Sequence, residues 1–266
     1  MVSADTSFDG IAGAFESEIY GSSKGYIRLR VLWEDMLGAI PGLTAGGLDV
    51  LDAGGGAGHL AIRLAGLGHR VVLCDASREM LDRAQAAARA QGVAGAMTIV
   101  QAPIQDLRGL LDRRFDLVVC HAVLEWLADP GAAIPELAAL LRPAGTLSLM
   151  FYNRNASVLK RALTGAIAEA LHSYRDGFAP RGWGAGATPL AEESVRGWLE
   201  ACGLIVQSKA GIRIFHDHVP AAARQPERLD ELLALELALR GAEPFASLGQ
   251  HIHLVCTPRP VRTVAG

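Results

Sequence analysis

Val50-Leu51-Asp52-Ala53-Gly54-Gly55-Gly56-Ala57-Gly58 decides how this 266-residue chain is read. An apolar run, Leu48-Asp49-Val50-Leu51, leads into an acid, four glycines fall within positions 54–58, and a helical pattern begins at His59. A strand that ends in a glycine-rich turn and opens into a helix lets backbone N–H groups approach a ligand closely, because no Cβ stands in the way. Spacing separates the ligand classes that use such a turn. The dinucleotide fingerprint is G-x-G-x-x-G, and counted from Gly54 its third glycine would fall at His59. The spacing present is D-x-G-x-G-x-G, carried by Asp52, Gly54, Gly56 and Gly58.

Outward from the turn, short apolar runs alternate with helical patterns. The runs are Arg70–Cys74, Met97–Gln101, Phe115–Cys120 and Thr146–Tyr152, with helices over roughly 58–67, 77–91 and 131–141. Such alternation predicts a parallel sheet with helices on both faces. Asp75 closes the second strand and can either accept hydrogen bonds from a ribose or cap the next helix, where Ser77 would serve as well. Towards the N-terminus, Phe8, Ile11, Ala12, Phe15 and Ile19 have helical spacing. Gly21–Gly25 interrupts it, and Ser22 or Ser23 can cap a second helix bearing Ile27, Val31, Leu32 and Met36. Arg28 and Arg30 flank that stripe and, on spacing alone, read as solvated surface.

Residues 153–190 break the rhythm. Five basic residues (Arg154, Lys160, Arg161, Arg175, Arg181) face two acids, with Tyr174, Phe178 and Trp183 interleaved and glycines over 182–186. Placed after strand five, at the carboxyl edge where open α/β sheets bind ligands, the segment is either a lid or substrate platform or a solvated helix pair. A helix near 191–202, a strand from Leu204 to about Phe215, a leucine-rich helix over 227–239 and a strand over Gln250–Thr257 complete a seven-stranded, mostly parallel sheet with its last strand antiparallel. His216/His218 and His251/His253 would each put two imidazoles on one strand face. Sequence supplies no further ligands for them, and no metal is expected.

Composition narrows the class. Half the residues are hydrophobic and 20% charged, enough for a large core, and a net charge of −3 gives no global pull towards nucleic acid or an acidic membrane. The four cysteines are scattered without C-x-x-C spacing, as befits reduced thiols in the cytoplasm. No apolar run reaches membrane-spanning length, and Met1–Gly10 has neither a basic region nor an apolar core, so neither a signal nor a membrane anchor is expected.

The glycine turn resembles the first motif of class I S-adenosylmethionine-dependent methyltransferases. Stretches elsewhere are more specific: Phe8-Asp9 with Ile11-Ala12 and Phe15; Ile19-Tyr20-Gly21 with Lys24-Gly25 and Arg28; Leu73-Cys74-Asp75; His121-Ala122-Val123-Leu124-Glu125-Trp126; Leu147–Asn153; Gly211–Asp217; and Glu243-Pro244-Phe245 with Ile252-His253. Together, over residues 8–256, they are similar to the CmoM-type tRNA 5-carboxymethoxyuridine methyltransferases. The resemblance implies a Rossmann-like α/β fold in one domain over 1–266: an N-terminal helical cap (1–45), a cofactor-binding half (46–152), a substrate-side insertion (153–190) and the rest of the sheet (191–258). It implies methyl transfer from S-adenosylmethionine to the carboxylate of 5-carboxymethoxyuridine at the tRNA wobble position, with tRNA as partner and no membrane. Carried over residue by residue, Arg28 would meet the cofactor's carboxylate, Gly54 and Gly55 its amino-acid part, Asp75 its ribose and Ile104 and Gln105 its adenine, with His121 alongside; Asp52, which opens the motif, is counted with the cofactor-binding residues. This chain departs from the family in lacking a lysine-rich run in the insertion and in having Ala144 for a turn glycine. A small-molecule carboxyl or hydroxyl methyltransferase is the alternative.

A carboxylate acceptor, with a pKa of about 4, is already ionised at neutral pH and needs no general base. The demand is alignment of oxygen, methyl and sulfur, which can lower a barrier by roughly 7–11 kcal/mol. No catalytic dyad is therefore expected. Arg213 is the expected partner of the acceptor carboxylate, or else a strand-edge surface residue, with Lys24 and Arg154 behind it. Tyr152 and His216 would stack on or hydrogen-bond the uridine, or pack internally.

Overall fold

The computed structural model describes Asp5, Asp9–Gly10, residues 22–175 and residues 187–260. Apart from Asp9–Gly10, the helix expected over 8–20 lies outside those residues, as do Phe178, Arg181 and the glycines at 182–186.

Seven strands form one sheet: β1 (Asp49–Ala53), β2 (Arg70–Asp75), β3 (Met97–Gln101), β4 (Phe115–His121), β5 (Leu141–Tyr152), β6 (Leu204–Ile212) and β7 (His251–Pro258), in the order β3-β2-β1-β4-β5-β7-β6. Strands β1 to β5 run parallel, and β7 lies antiparallel between β5 and β6, as the sequence predicts. Side-chain alternation makes both faces apolar. Val50, Val71, Leu73, Leu117, Val119 and Met150 pack against α1 (Ser23–Ala39), α2 (His59–Gly66), α3 (Arg78–Ala90) and, further along the face, α9 (Leu229–Leu239). Leu51, Ala53, Val72, Cys74, Val118 and Cys120 belong to the opposite layer with α4 (Leu107–Leu110), α5 (Pro130–Ala139) and α8 (Glu192–Ala201). Each fully buried Val or Leu contributes about 1.5–3 kcal/mol. After β5 the chain forms α6 (Arg154–Leu163) and α7 (Ile167–Arg175) before returning through α8.

Caps decide two readings left open by sequence. Ser22, not Ser23, is the N-cap of α1, its hydroxyl accepting from Gly25 N at 3.3 Å. Ser77 caps α3 by accepting from Met80 N, which leaves the Asp75 carboxylate for the turn beside it.

Two boundaries differ from expectation. Strand β5 begins at Leu141, not Thr146: Leu141 pairs with Phe115, and Arg142–Gly145 is a bulge inside the strand. Gly145 fits there because a Cβ would stand 2.8 Å from Phe115 O. Strand β6 ends at Ile212, not Phe215. Arg213 adopts a left-handed φ of 64°, and the buried Glu236 carboxylate accepts the N–H groups of Ile214, Phe215 and His216 at 2.6, 2.9 and 2.9 Å. With those donors turned to α9, the sheet cannot continue. His216 and His218 therefore sit in a turn and do not share a strand face, contrary to expectation.

Candidate active site

Strand order reverses between β1 and β4, and the crevice beyond their carboxyl ends is where such folds place ligands. A cavity of about 360 Å³ occupies it. All eight residues expected to face the cofactor line this cavity: Arg28, Asp52, Gly54, Gly55, Asp75, Ile104, Gln105 and His121.

The turn after β1 is shaped by what glycine lacks. Gly54 and Gly55 donate their N–H groups to Cys74 O at 2.8 and 3.1 Å, folding the loop back on β2. A Cβ on Gly54 would meet Val123 at 2.5 Å, and one on Gly55 would enter the Leu73 side chain and come within 2.6 Å of Asp52 Oδ2. Asp75 locks the other side of the loop, accepting from Gly56 N (2.9 Å) and Ser77 N (2.8 Å) on separate oxygens. Each oxygen keeps a further lone pair for a ligand hydroxyl. Burial pushes the Asp75 carboxyl above its usual range despite these two donors.

Beneath the glycines, Asp52 is buried, and its Oδ2 has no hydrogen-bond partner. Burial first, then the nearby Asp75 charge, raises its carboxyl to about 7. Across the cavity, Ile104 is buried, while Gln105 donates from Nε2 to Asp5 Oδ2 at 2.9 Å and leaves a buried Oε1 unpartnered. Asp5 also accepts from Ala128 N at 2.7 Å, tying residue 5 to the far rim. Sequence reading gave Asp5 no role, and a lone acid carries no signal for one. It likewise missed the wall in which the Arg63 guanidinium lies 3.5 Å from the Trp33 ring centroid; both residues line the cavity. Arg28, at 9% exposure, is not the solvated arginine that spacing alone suggests. Its charge, after burial and the neighbouring His253, helps hold His121 well below the usual imidazole range.

The five residues expected to meet the acceptor are placed differently, and none lines the cavity. Arg213 and His216 converge on Asp217. Arg213 Nη2 and Nε lie 2.5 and 3.2 Å from Asp217 Oδ2, and His216 Nδ1 lies 3.1 Å from Oδ1. Despite burial, these two partners hold the Asp217 carboxyl below its usual range. Arg213 is thus no strand-edge surface residue: its side chain is 12% exposed and its fork is already engaged. His216 Nε2 meets Ser23 Oγ at 2.9 Å, docking this turn against the start of α1, where Lys24 is exposed. Tyr152 is half-buried, its ring 5.9 Å from that of His251. Arg154 pairs with Glu193 at 2.5 Å and lies 5.6 Å from the Tyr174 ring. Among the described residues, no three His, Cys, Asp or Glu side chains are grouped to hold a metal ion, and no helix is long and apolar enough to cross a membrane.

Comparison with known proteins agrees with this geometry. Residues 51–149 match a family model described as a methyltransferase domain. The chain is 38% identical to the tRNA 5-carboxymethoxyuridine methyltransferase of Escherichia coli K12, over 94% of this chain and 95% of that protein. It is 30% identical to a ubiquinone biosynthesis O-methyltransferase of Xanthomonas euvesicatoria, over 64% of this chain and 68% of that one. Among solved structures, magnesium protoporphyrin IX methyltransferase of Synechocystis PCC 6803 with bound S-adenosylhomocysteine superposes with a TM-score of 0.65 at 19% identity, covering 94% and 96% of the two chains. Sheet order, glycine cradle and the paired acids Asp52 and Asp75 define a class I S-adenosylmethionine-dependent methyltransferase. Within that class, the chain belongs to the tRNA 5-carboxymethoxyuridine methyltransferase family. The site suits S-adenosylmethionine on its own chemistry. Two orphaned acceptors, Asp52 Oδ2 and Gln105 Oε1, would suit a ligand that carries positive charge and N–H donors, and at Gly54 and Gly55 the loop packs so closely on Val123, Leu73 and Asp52 that no Cβ fits.

Proposed function

We propose that this chain methylates the carboxylate of 5-carboxymethoxyuridine at the wobble position of tRNA, in the cytoplasm, giving the methyl ester. The observation that carries the proposal is the extent of the 38% match. It spans 94% of the chain, including the α6–α7 insertion and the turn at 213–217, where the fold alone would not preserve likeness. When bound, S-adenosylmethionine supplies an electrophilic methyl group on a sulfonium.

The chain's own residues bind, orient and exclude water. Arg28 would hold the cofactor's carboxylate, Asp75 its ribose hydroxyls, and Ile104 and Gln105 its adenine. No side chain need take a proton, because a carboxylate acceptor is already ionised. The Nε/Nη2 edge of Arg213 is held by Asp217, which aims the remaining Nη1 edge and makes it the residue to pair with the acceptor carboxylate. Tyr152 is the residue to stack on the uridine, His216 braces Asp217 from within, and Lys24 and Arg154 are the cations nearest in this proposal.

The test is transfer of labelled methyl from S-adenosylmethionine to tRNA bearing 5-carboxymethoxyuridine. The label should be released by mild alkali as an ester, and absence of transfer would refute the proposal. One observation favours a second reading, a small-molecule carboxyl or hydroxyl methyltransferase: Arg154, the first basic residue of the insertion, is already neutralised by Glu193. Methyl transfer that survives ribonuclease digestion of the substrate pool would select that reading.

A further inference from the structure

A buried chain of four side chains runs across the α1-covered face of the sheet to the cofactor cavity. Asp35 Oδ2 on α1 lies 2.6 Å from His253 Nδ1 on β7, His253 Nε2 lies 2.8 Å from Ser148 Oγ on β5, and Ser148 Oγ lies 2.8 Å from His121 Nε2 at the end of β4. Ser148 and His253 are fully buried, and only His121 reaches the cavity. The proposed methyl transfer needs no proton movement, so it leaves this chain without a task.

Donor and acceptor counting gives the chain a direction. A carboxylate only accepts, so His253 carries its proton on Nδ1. With one proton per imidazole, His253 Nε2 is then an acceptor and takes the Ser148 hydroxyl proton. A hydroxyl has a single proton, so Ser148 Oγ must in turn accept from His121 Nε2–H. His121 is left with a bare Nδ1, which has no protein partner among the described residues.

The charges around His121 favour this arrangement. Arg28 of α1 stands beside it, His253 of β7 packs edge-on at 5.4 Å between ring centroids, and Arg240, following α9, lies 3.4 Å from Asp35 Oδ1 behind the chain. A cationic His121 would be repelled by Arg28. An amino acid that sets its carboxylate on Arg28 carries an ammonium on the same carbon, and that ammonium needs an acceptor that is not itself a cation.

We infer that Asp35, His253 and Ser148 are positioning residues: they hold His121 as its Nε2–H tautomer, so that Nδ1 accepts a hydrogen bond from the ammonium of the cofactor's methionine part. The inference rests on S-adenosylmethionine binding and not on the identity of the methyl acceptor.

Nitrogen NMR of the histidine-labelled, cofactor-free protein tests the first half without any variant. His121 should show the Nε2–H tautomer and His253 the Nδ1–H tautomer near neutral pH. A His121 protonated on Nδ1, or a doubly protonated His253, would overturn the inference. The second half is tested with S148A by calorimetry against two ligands. Affinity for S-adenosylhomocysteine should fall roughly tenfold, while affinity for 5′-methylthioadenosine, which lacks the amino-acid part, should stay within about twofold. Equal losses for both would show a merely structural role and overturn the assignment. If S148A does not fold, the wild-type tautomers decide the matter alone.

Discussion

The cofactor cavity and the region proposed to meet the acceptor are prepared in opposite ways. On the cofactor side, backbone geometry does the work: glycines let the loop pack closely on Val123, Leu73 and Asp52, Asp75 pins the loop through Gly56 N–H and its own turn through Ser77 N–H, and Asp52 Oδ2 and Gln105 Oε1 are buried without partners. On the acceptor side, the side chains proposed to meet the acceptor are already bound to neighbours, Arg213 and His216 to Asp217 and Arg154 to Glu193. A ligand on the first side fills vacant hydrogen-bonding capacity; one on the second must use what internal ion pairs leave free. Damage should separate accordingly. G55A should have the largest effect, because its Cβ would enter the Leu73 side chain and sit 2.6 Å from Asp52 Oδ2, both held by the core. Overpacking costs of about 1–3 kcal/mol imply a loss of cofactor affinity of about 5–150-fold by calorimetry. Normal affinity in G55A would mean that the cradle is softer than its packing indicates.

Arg213→Ala is the matching break on the other side. Loss of a fork-held cation at an acceptor carboxylate should lower kcat/KM for modified tRNA by about 30-fold or more. S-adenosylhomocysteine affinity should stay within about twofold, since Arg213 does not touch the cofactor cavity. If both fell together, the separation between the two sides would be lost. Arg213→Lys should recover little, because a lysine cannot both hold Asp217 and present a second edge.

A pH titration sharpens the contrast, since Asp52 on the cofactor side ionises only near pH 7 while Asp217 on the acceptor side is held ionised by its partners. The Asp52 carboxyl is raised above its unfolded value, so the stabilisation from its proton is complete below about pH 4 and is lost as pH rises through about 7. Binding a cationic cofactor favours the ionised form and so releases a proton. Affinity for S-adenosylmethionine should therefore rise between pH 6 and 8, by at most about tenfold per unit for one linked proton. Calorimetry in two buffers of different ionisation heat would count that proton, and Asp52→Asn should flatten the profile.

The same division governs what could be read in the sequence. The cofactor side was legible because backbone requirements leave marks in residue type: D-x-G-x-G-x-G fixes the turn, and Asp75 falls where the second strand must end. Asp5 and the Trp33–Arg63 stack were not legible, since their places depend on chain brought back from distant positions. On the acceptor side, Ile212 and Ile214 continue a strand-like alternation, so the pattern runs straight through the point where β6 stops. What ends it is Glu236, a carboxylate more than 20 positions along the chain that takes three consecutive N–H groups. Strand β5 was misjudged for the converse reason: Pro143 and Gly145 read as a loop, but the sheet absorbs them as a bulge.

The smallest effect should come from the rim, and its sign is informative. Arg154 is bound to Glu193, whose own side chain is 67% exposed, so the pair is solvent-screened and contributes at most about 1 kcal/mol to stability. Glu193→Gln therefore costs the fold little but releases a cation beside Tyr174, on an insertion whose helices α6 and α7 also carry Lys160, Arg161 and Arg175. If tRNA lies along this insertion, the variant should bind it about twofold more tightly, and the log–log salt slope of binding should steepen by up to roughly one counterion. Arg154→Ala should do the reverse, and neither change should move cofactor affinity. Filter binding from 50 to 200 mM salt would read both slopes; unchanged slopes in the two variants would place the tRNA backbone elsewhere, leaving Lys24 and the turn at 213–217 as the acceptor side's points of contact.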